Sequence, residues 1–215
     1  MEKPTEEYLQ KLISNARKKF GEFSYCFADI PNVKITYVNT NKRNLTGIIE
    51  GMRGLAEMKT LGVKESSKIS LSCKNYNKFY RSGGKVRKIE CFACGHNDLD
   101  VIYVAQYDGE RRYLFPYFED KSKAVGYPII VANFENSKVV EEYRVDGNKI
   151  LYEKYDYSEQ DTVGYYCINF VPEGECPILG EEEGYFKVDS LEYRQTKNKV
   201  WCQKTCKPTF EENTD

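Results

Sequence analysis

The chain has one histidine, His96, among its 215 residues. That scarcity narrows any enzymology. A Ser-His-Asp or Cys-His system would have to run through His96, and nothing near it resembles a nucleophile turn. Paired-histidine metal sites are excluded, and there is no Walker loop, dinucleotide fingerprint or EF-hand. No apolar run approaches the roughly 18–20 residues that span a bilayer. The N-terminus, Met1-Glu2-Lys3-Pro4-Thr5-Glu6-Glu7, is charged and lacks the apolar stretch of a signal peptide. The expected compartment is therefore the cytoplasm, or the host cytoplasm for a phage protein. Internal repeats and low-complexity segments are also missing.

What is there is a globular composition: 40% hydrophobic, 30% charged and 14% aromatic residues. The length suits one sizeable core or two small domains. The formal net charge of −1 hides an asymmetry. Residues 1–90 carry 18 Lys+Arg against 9 Asp+Glu, whereas residues 91–215 carry 14 against 24. Such a split suits a basic surface for a polyanion, or two halves that neutralise each other in the fold. With no secretion signal, the eight cysteines read as free buried thiols plus one metal site rather than disulfides.

Residues 4–20 read as an amphipathic helix, with Tyr8, Leu12, Ala16 and Phe20 at i, i+4 spacing and Leu9 and Ile13 widening the stripe. Acids open it, Arg17, Lys18 and Lys19 close it, and Gly21 supplies a stop. Residues 32–39 alternate as a half-buried strand, and 47–61 have helical spacing despite three glycines. From Lys68 onward the pattern is β. Arg81-Ser82-Gly83-Gly84-Lys85 reads as a hairpin turn. Further strands are expected at LDVIYVAQY, RRYLFPYF, YPIIVANF, KVVEEYRV, NKILYEKY, VGYYCINFV and GYFKVDSLEYR, and the tail after Lys207 reads as loose. The expected fold is α+β: N-terminal helices packed on a mixed β-sheet, followed by a mostly antiparallel β-rich C-terminal region. The expected division is a helix-strand DNA-binding element at 1–46, an α/β core at 47–125 and a β-rich region at 126–215.

Three constellations carry chemistry. Cys91-x2-Cys94-Gly offers two thiolates to a structural Zn²⁺, with Cys202 and Cys206 as the second half of a tetrahedral site. The plain alternative is two small residues at a strand end. Glu57 and Glu65 with Lys74 suit Mg²⁺ binding and charge stabilisation in phosphoryl chemistry, although Glu57-Met-Lys59 by itself matches by chance in any charged chain. The segment from Lys74 to Lys88 interleaves rings with Lys78, Arg81, Lys85, Arg87 and Lys88, as phosphate contacts and base stacking require. A hairpin whose lysines guard an exposed edge would look similar. Lys42 and Arg43, in a polar turn, join the helix cations as further phosphate contacts.

Residues 7–46 resemble the short repeat found beside homing endonucleases and phage nucleases, in which a helix with a basic end leads to a "YVN" strand. The resemblance implies DNA binding, and it stops after Asn44. Residues 51–118 resemble a PD-(D/E)XK nuclease core of the restriction and homing type. GMRGLAEMKTL is similar to its opening helix, with Glu57 as the helix acid, and KISLSCKNY to the strand bearing the catalytic lysine, here Lys74. Ser72 stands where an acid is expected, and Glu65 substitutes for the upstream aspartate. Cys91-x2-Cys94-Gly and WCQKTC also resemble parts of an HNH-type zinc fold. The implied function is a Mg²⁺-dependent DNA endonuclease. The alternative is a non-enzymatic nucleic-acid- or protein-binding protein, such as a phage-encoded inhibitor of a host nuclease that docks a partner through its acidic C-terminal half.

Overall fold

The computed structural model describes residues 1–24, 32–39, 66–69, 76–93, 98–119, 124, 126–160, 162–172, 177–187, 193–202 and 207–213. Among them there is one helix, α1 (Glu6–Glu22), followed by strands β1 (Lys34–Asn39), β2 (Tyr76–Ser82), β3 (Lys85–Ala93), β4 (Asp98–Asp108), β5 (Arg111–Tyr117) and β6 (Ile129–Glu135). Then come β7 (Lys138–Asp146), β8 (Lys149–Asp156), β9 (Thr162–Phe170), β10 (Ile178–Lys187), β11 (Tyr193–Cys202) and β12 (Lys207–Asn213). They form a single 12-stranded sheet in sequence order, each strand antiparallel to its neighbours.

This corrects the expected α+β arrangement of helices on a mixed sheet. Parallel pairing needs a crossover of a dozen or more residues, whereas strands joined by two-residue loops can only run antiparallel. Four such loops are fixed by the pairs Ser82↔Lys85, Asp108↔Arg111, Glu135↔Lys138 and Asp146↔Lys149. Gly83 and Gly84 both have positive φ, as do Asn136 and Ser137. Two consecutive left-handed residues match the twist of the flanking strands, so these loops set register as well as direction. The sheet also runs on through the β5–β6 pairing, where Leu114 faces Ile130.

The helix begins two residues later than the periodicity indicates. Thr5 is its N-cap, with Oγ1 accepting from the Tyr8 amide at 3.2 Å. It runs through Gly21 and is capped at Phe23, whose amide donates to the Phe20 carbonyl at 3.1 Å. Leu9, Leu12, Ile13 and Ala16 are buried as expected. They lie with Phe23 against Val104, Phe115, Val131, Tyr143, Tyr152 and Ile168 of β4–β9, and this side of the sheet is the helix face. The far face is buried as well, around Phe79, Ile89, Tyr103, Leu114 and Ile130 at one end and Val139, Tyr155, Val163 and Tyr165 at the other. Two-sided burial explains why β5 and β9 read as near-continuous apolar runs rather than strict alternation.

The far face also holds a buried polar row. Register places Arg112, Ala132, Glu142, Glu153, Cys167 and Glu182 side by side across β5–β10. Arg112, Glu142 and Glu153 are fully buried, and Glu182 is nearly so. The Tyr155 hydroxyl donates to Glu153, and the Tyr165 hydroxyl to Glu182 at 2.6 Å.

Two expectations at the C-terminus change. GYFKVDSLEYR is not one strand: Gly184–Lys187 end β10, and Tyr193–Arg194 begin β11. The tail is not loose, because Lys207–Asn213 pairs with β11 as β12. Its alternation is too short and polar to read as a strand without the partner beside it. The second expected helix, at 47–61, lies outside the described residues.

Candidate nucleic-acid interface

The β2–β3 hairpin carries five cations, Lys78, Arg81, Lys85, Arg87 and Lys88, against a single acid, Glu90. A bulge at Tyr80/Arg81 decides which of them share a face. Val86, Ile89 and Cys91 are all buried on the far face, which regular alternation from 86 to 89 would forbid. The extra residue in β3 resolves the mismatch. It also aligns Lys78 with Glu90 and Tyr80 with Lys88 on the helix face, beyond the area that α1 covers.

These four side chains form one network. Lys88 Nζ donates to Glu90 Oε1 at 2.7 Å, and the Tyr80 hydroxyl donates to Glu90 Oε2 at 2.7 Å. Lys78 Nζ lies 3.4 Å from the same Oε2. The Tyr80 ring carries both ammonium groups, Lys88 at 3.9 Å and Lys78 at 4.8 Å from its centroid. Burial acts to raise the Glu90 carboxyl, but the hydrogen bonds from Lys88 and Tyr80 and the charges of both lysines outweigh it and hold it below its ordinary value. Two cations against one carboxylate leave a net positive charge that is fixed in place.

Next to the network stands a row of rings. Tyr76 and Phe92 are register partners, stacked at 4.6 Å with 15° between planes. Tyr37 on β1 lies 6.1 Å from Tyr76. At the hairpin tip, Arg81 lies 5.5 Å from the Phe79 ring and Lys85 4.9 Å from the Tyr107 ring, while Arg87 is exposed.

The helix cations reach the same end of the sheet. Lys19 pairs with Asp108 at 3.6 Å, and Asp108 adjoins the Tyr107 that Lys85 covers. Arg17 and Lys18 are exposed on the outer side of α1. The structure thus brings Lys78 and Lys88 together, and places Lys85 and Lys19 against neighbouring residues of β4. Lys42 and Arg43 lie outside the described residues.

Of the other anticipated sites, Glu57, Glu65 and Lys74 lie outside the described residues. Cys91 is a free, buried cysteine in the far-face core; burial, with Asp100 and Glu90 adding to it, pushes its thiol well above the ordinary value. Cys94 and Cys206 lie outside the described residues, and Cys202 ends β11. Among the described residues no group of three or more His, Cys, Asp or Glu is placed to hold a metal ion. No described helix is long and apolar enough to cross a membrane.

Many acids of the C-terminal half have partners within the chain. Lys3 pairs with Glu181 at 3.1 Å and with Glu183 at 3.5 Å, and the Tyr166 hydroxyl donates to Glu181 at 2.8 Å. Glu141 accepts from the Tyr8 hydroxyl at 2.7 Å and from Asn133.

The chain matches no known family model, curated protein or solved structure. Its function is therefore inferred from this geometry. Sequence reasoning missed Glu90, Tyr37 and Phe92. The signal for Glu90 and Phe92 was the odd spacing of Val86 and Ile89, which demands the bulge and so fixes their pairs, whereas Tyr37 is placed by the β1–β2 pairing.

Proposed function

We propose that this chain binds nucleic acid through the β2–β3 hairpin and the adjoining end of α1. The observation that carries this reading is the Lys78–Tyr80–Lys88–Glu90 network, which holds two ammonium groups on one face of a hairpin with five cations and one acid. Cations fixed in this way position phosphates and contribute little sequence discrimination. The acidic C-terminal half favours a protein partner less, because Glu141, Glu142, Glu153 and Glu182 are buried in the fold.

The test is fluorescence anisotropy of a labelled oligonucleotide titrated with protein over a series of salt concentrations. Affinity is expected to fall steeply with salt. Arg81→Ala with Lys85→Ala and Arg87→Ala should weaken binding and reduce the salt slope by about one for each phosphate that is no longer neutralised. A folded protein with no affinity at low salt sinks the reading. Cleavage is the narrower claim. It would use Glu57 and Glu65 to hold Mg²⁺ and Lys74 to stabilise the developing charge, and plasmid nicking in Mg²⁺ that disappears in Lys74→Ala decides it. Structural zinc at Cys91, Cys94, Cys202 and Cys206 is decided by metal analysis of the purified protein.

A further inference from the structure

We infer that the surface selects single-stranded over duplex nucleic acid, with bases stacking on the ring row of Tyr37, Tyr76 and Phe92 while Lys78 and Lys88 take the phosphates. This rests on the nucleic-acid reading above and names its ligand.

The rings belong to three adjacent strands and face the same side of the sheet as the two lysines. Each of the three residues is only half-buried. Leu99, the register partner of Phe92 on β4, is 49% exposed and extends the apolar floor by one more strand. A protein does not ordinarily leave a stacked aromatic pair and a leucine at its surface beside a cluster of cations without a ligand that uses both. Charge decides what that ligand is. The neighbouring cations favour a polyanion, and a polyanion with flat apolar faces is an unpaired nucleic-acid strand.

The spacing fits the same ligand. Lys78 is two residues along β2 from Tyr76, about 7 Å on the same face. A strand could therefore lay a base on the rings while its backbone runs over the ammonium groups. A duplex cannot use this row, because its base faces are hidden in the stack and only its phosphates would engage. Stacking tolerates any base, since every base has a π-face, so little sequence preference is expected.

The experiment compares an oligothymidylate with a duplex of the same length by anisotropy, using the full chain, Tyr76→Leu, Phe92→Leu and Tyr76→Phe. Circular dichroism melts establish that each variant is folded. The expected result is tighter binding of the single strand. Tyr76→Leu or Phe92→Leu should weaken single-strand binding by about 5- to 100-fold and leave the duplex within about 2-fold. Tyr76→Phe keeps the ring and should bind like the parent. Equal affinity for both ligands, with leucine variants unchanged, overturns the stacking inference and leaves the basic-hairpin reading standing. No binding to either oligonucleotide by folded protein removes both. Capture by phosphatidylserine vesicles with no oligonucleotide binding overturns both in favour of an anionic membrane surface.

Discussion

The β2–β3 hairpin and the β5–β10 row are built from the same residue types, yet their environments are opposite. In the hairpin, Glu90 lies between Lys78 and Lys88 with a tyrosine hydroxyl on it, and all four side chains keep some contact with water. In the row, Glu142, Glu153 and Glu182 stand in register line with one cation, Arg112, and beside the hydroxyls of Tyr155 and Tyr165, all out of water. Charges at a wet surface are cheap to hold and easy to lend to a ligand. Charges inside a sheet tolerate only the partners they were folded with. The hairpin therefore has the character of an interface, and the row that of a device specifying how the central strands align.

The largest effect is expected where that contrast is strongest. Arg112→Ala removes the one cation of the buried row and leaves three carboxylates in line. Taking a buried cation out of a line of buried acidic side chains costs up to about 3–5 kcal/mol. Urea denaturation followed by circular dichroism should show a loss of that order. Arg81→Ala, exchanging the same residue type at the wet hairpin, should cost under about 1 kcal/mol. Equal losses at the two sites would erase the distinction between a structural row and a binding surface.

A smaller effect is expected at the junction of helix and sheet. The Tyr8 hydroxyl donates to Glu141, which also accepts from Asn133; Asn133 in turn accepts from Arg111 Nε at 2.7 Å. Burial first, and then the bond to Glu141, push the Tyr8 hydroxyl well above its ordinary value. It therefore remains a donor across the physiological range. Tyr8→Phe keeps the ring, which meets Tyr152 edge-on at 6.3 Å, and deletes only the donor. A loss of about 1–2 kcal/mol is expected, as for a hydrogen bond to a charged acceptor. Oligonucleotide binding should not change, because Tyr8 lies in the first turn of α1, at the opposite end of the helix from Lys19.

The parts of this architecture that could be read from the sequence were those set by local rules. The amphipathic period of α1, the Ser82-Gly83-Gly84-Lys85 turn and six of the later strands follow from spacing and turn chemistry alone. What stayed hidden depends on partners distant in sequence. The tail from Lys207 becomes a strand because β11 offers it an edge. Glu142 and Glu153 sit in KVVEEYRV and NKILYEKY, where alternation marks one face for water, yet both faces are buried. A period of two cannot tell a solvated face from a second core. At the candidate site the same limit applied. The basic composition of the hairpin was plain, but the pairing of Lys78 with Glu90 hangs on a one-residue bulge, and a one-residue shift moves a side chain to the other face.

The smallest effect separates the two roles at a single residue. Glu90 is held below its ordinary value, so its contribution to stability is present above the unfolded glutamate value of about 4.3 and is lost as pH falls through the folded value. Glu90→Gln should therefore lower stability at neutral pH by about 1 kcal/mol or less, and the gap between parent and variant should close in acid. Binding should move the other way. Without the carboxylate between them, Lys78 and Lys88 present their full charge to a phosphate, so oligonucleotide affinity should rise and fall more steeply with salt. Melting curves across acid and neutral pH, set beside the anisotropy titration, measure both. A variant that loses stability and gains affinity marks Glu90 as the residue at which the hairpin trades stability for binding. One that loses both would mean the carboxylate is needed to hold the lysines in position, and that the geometry of the cations matters more than their number.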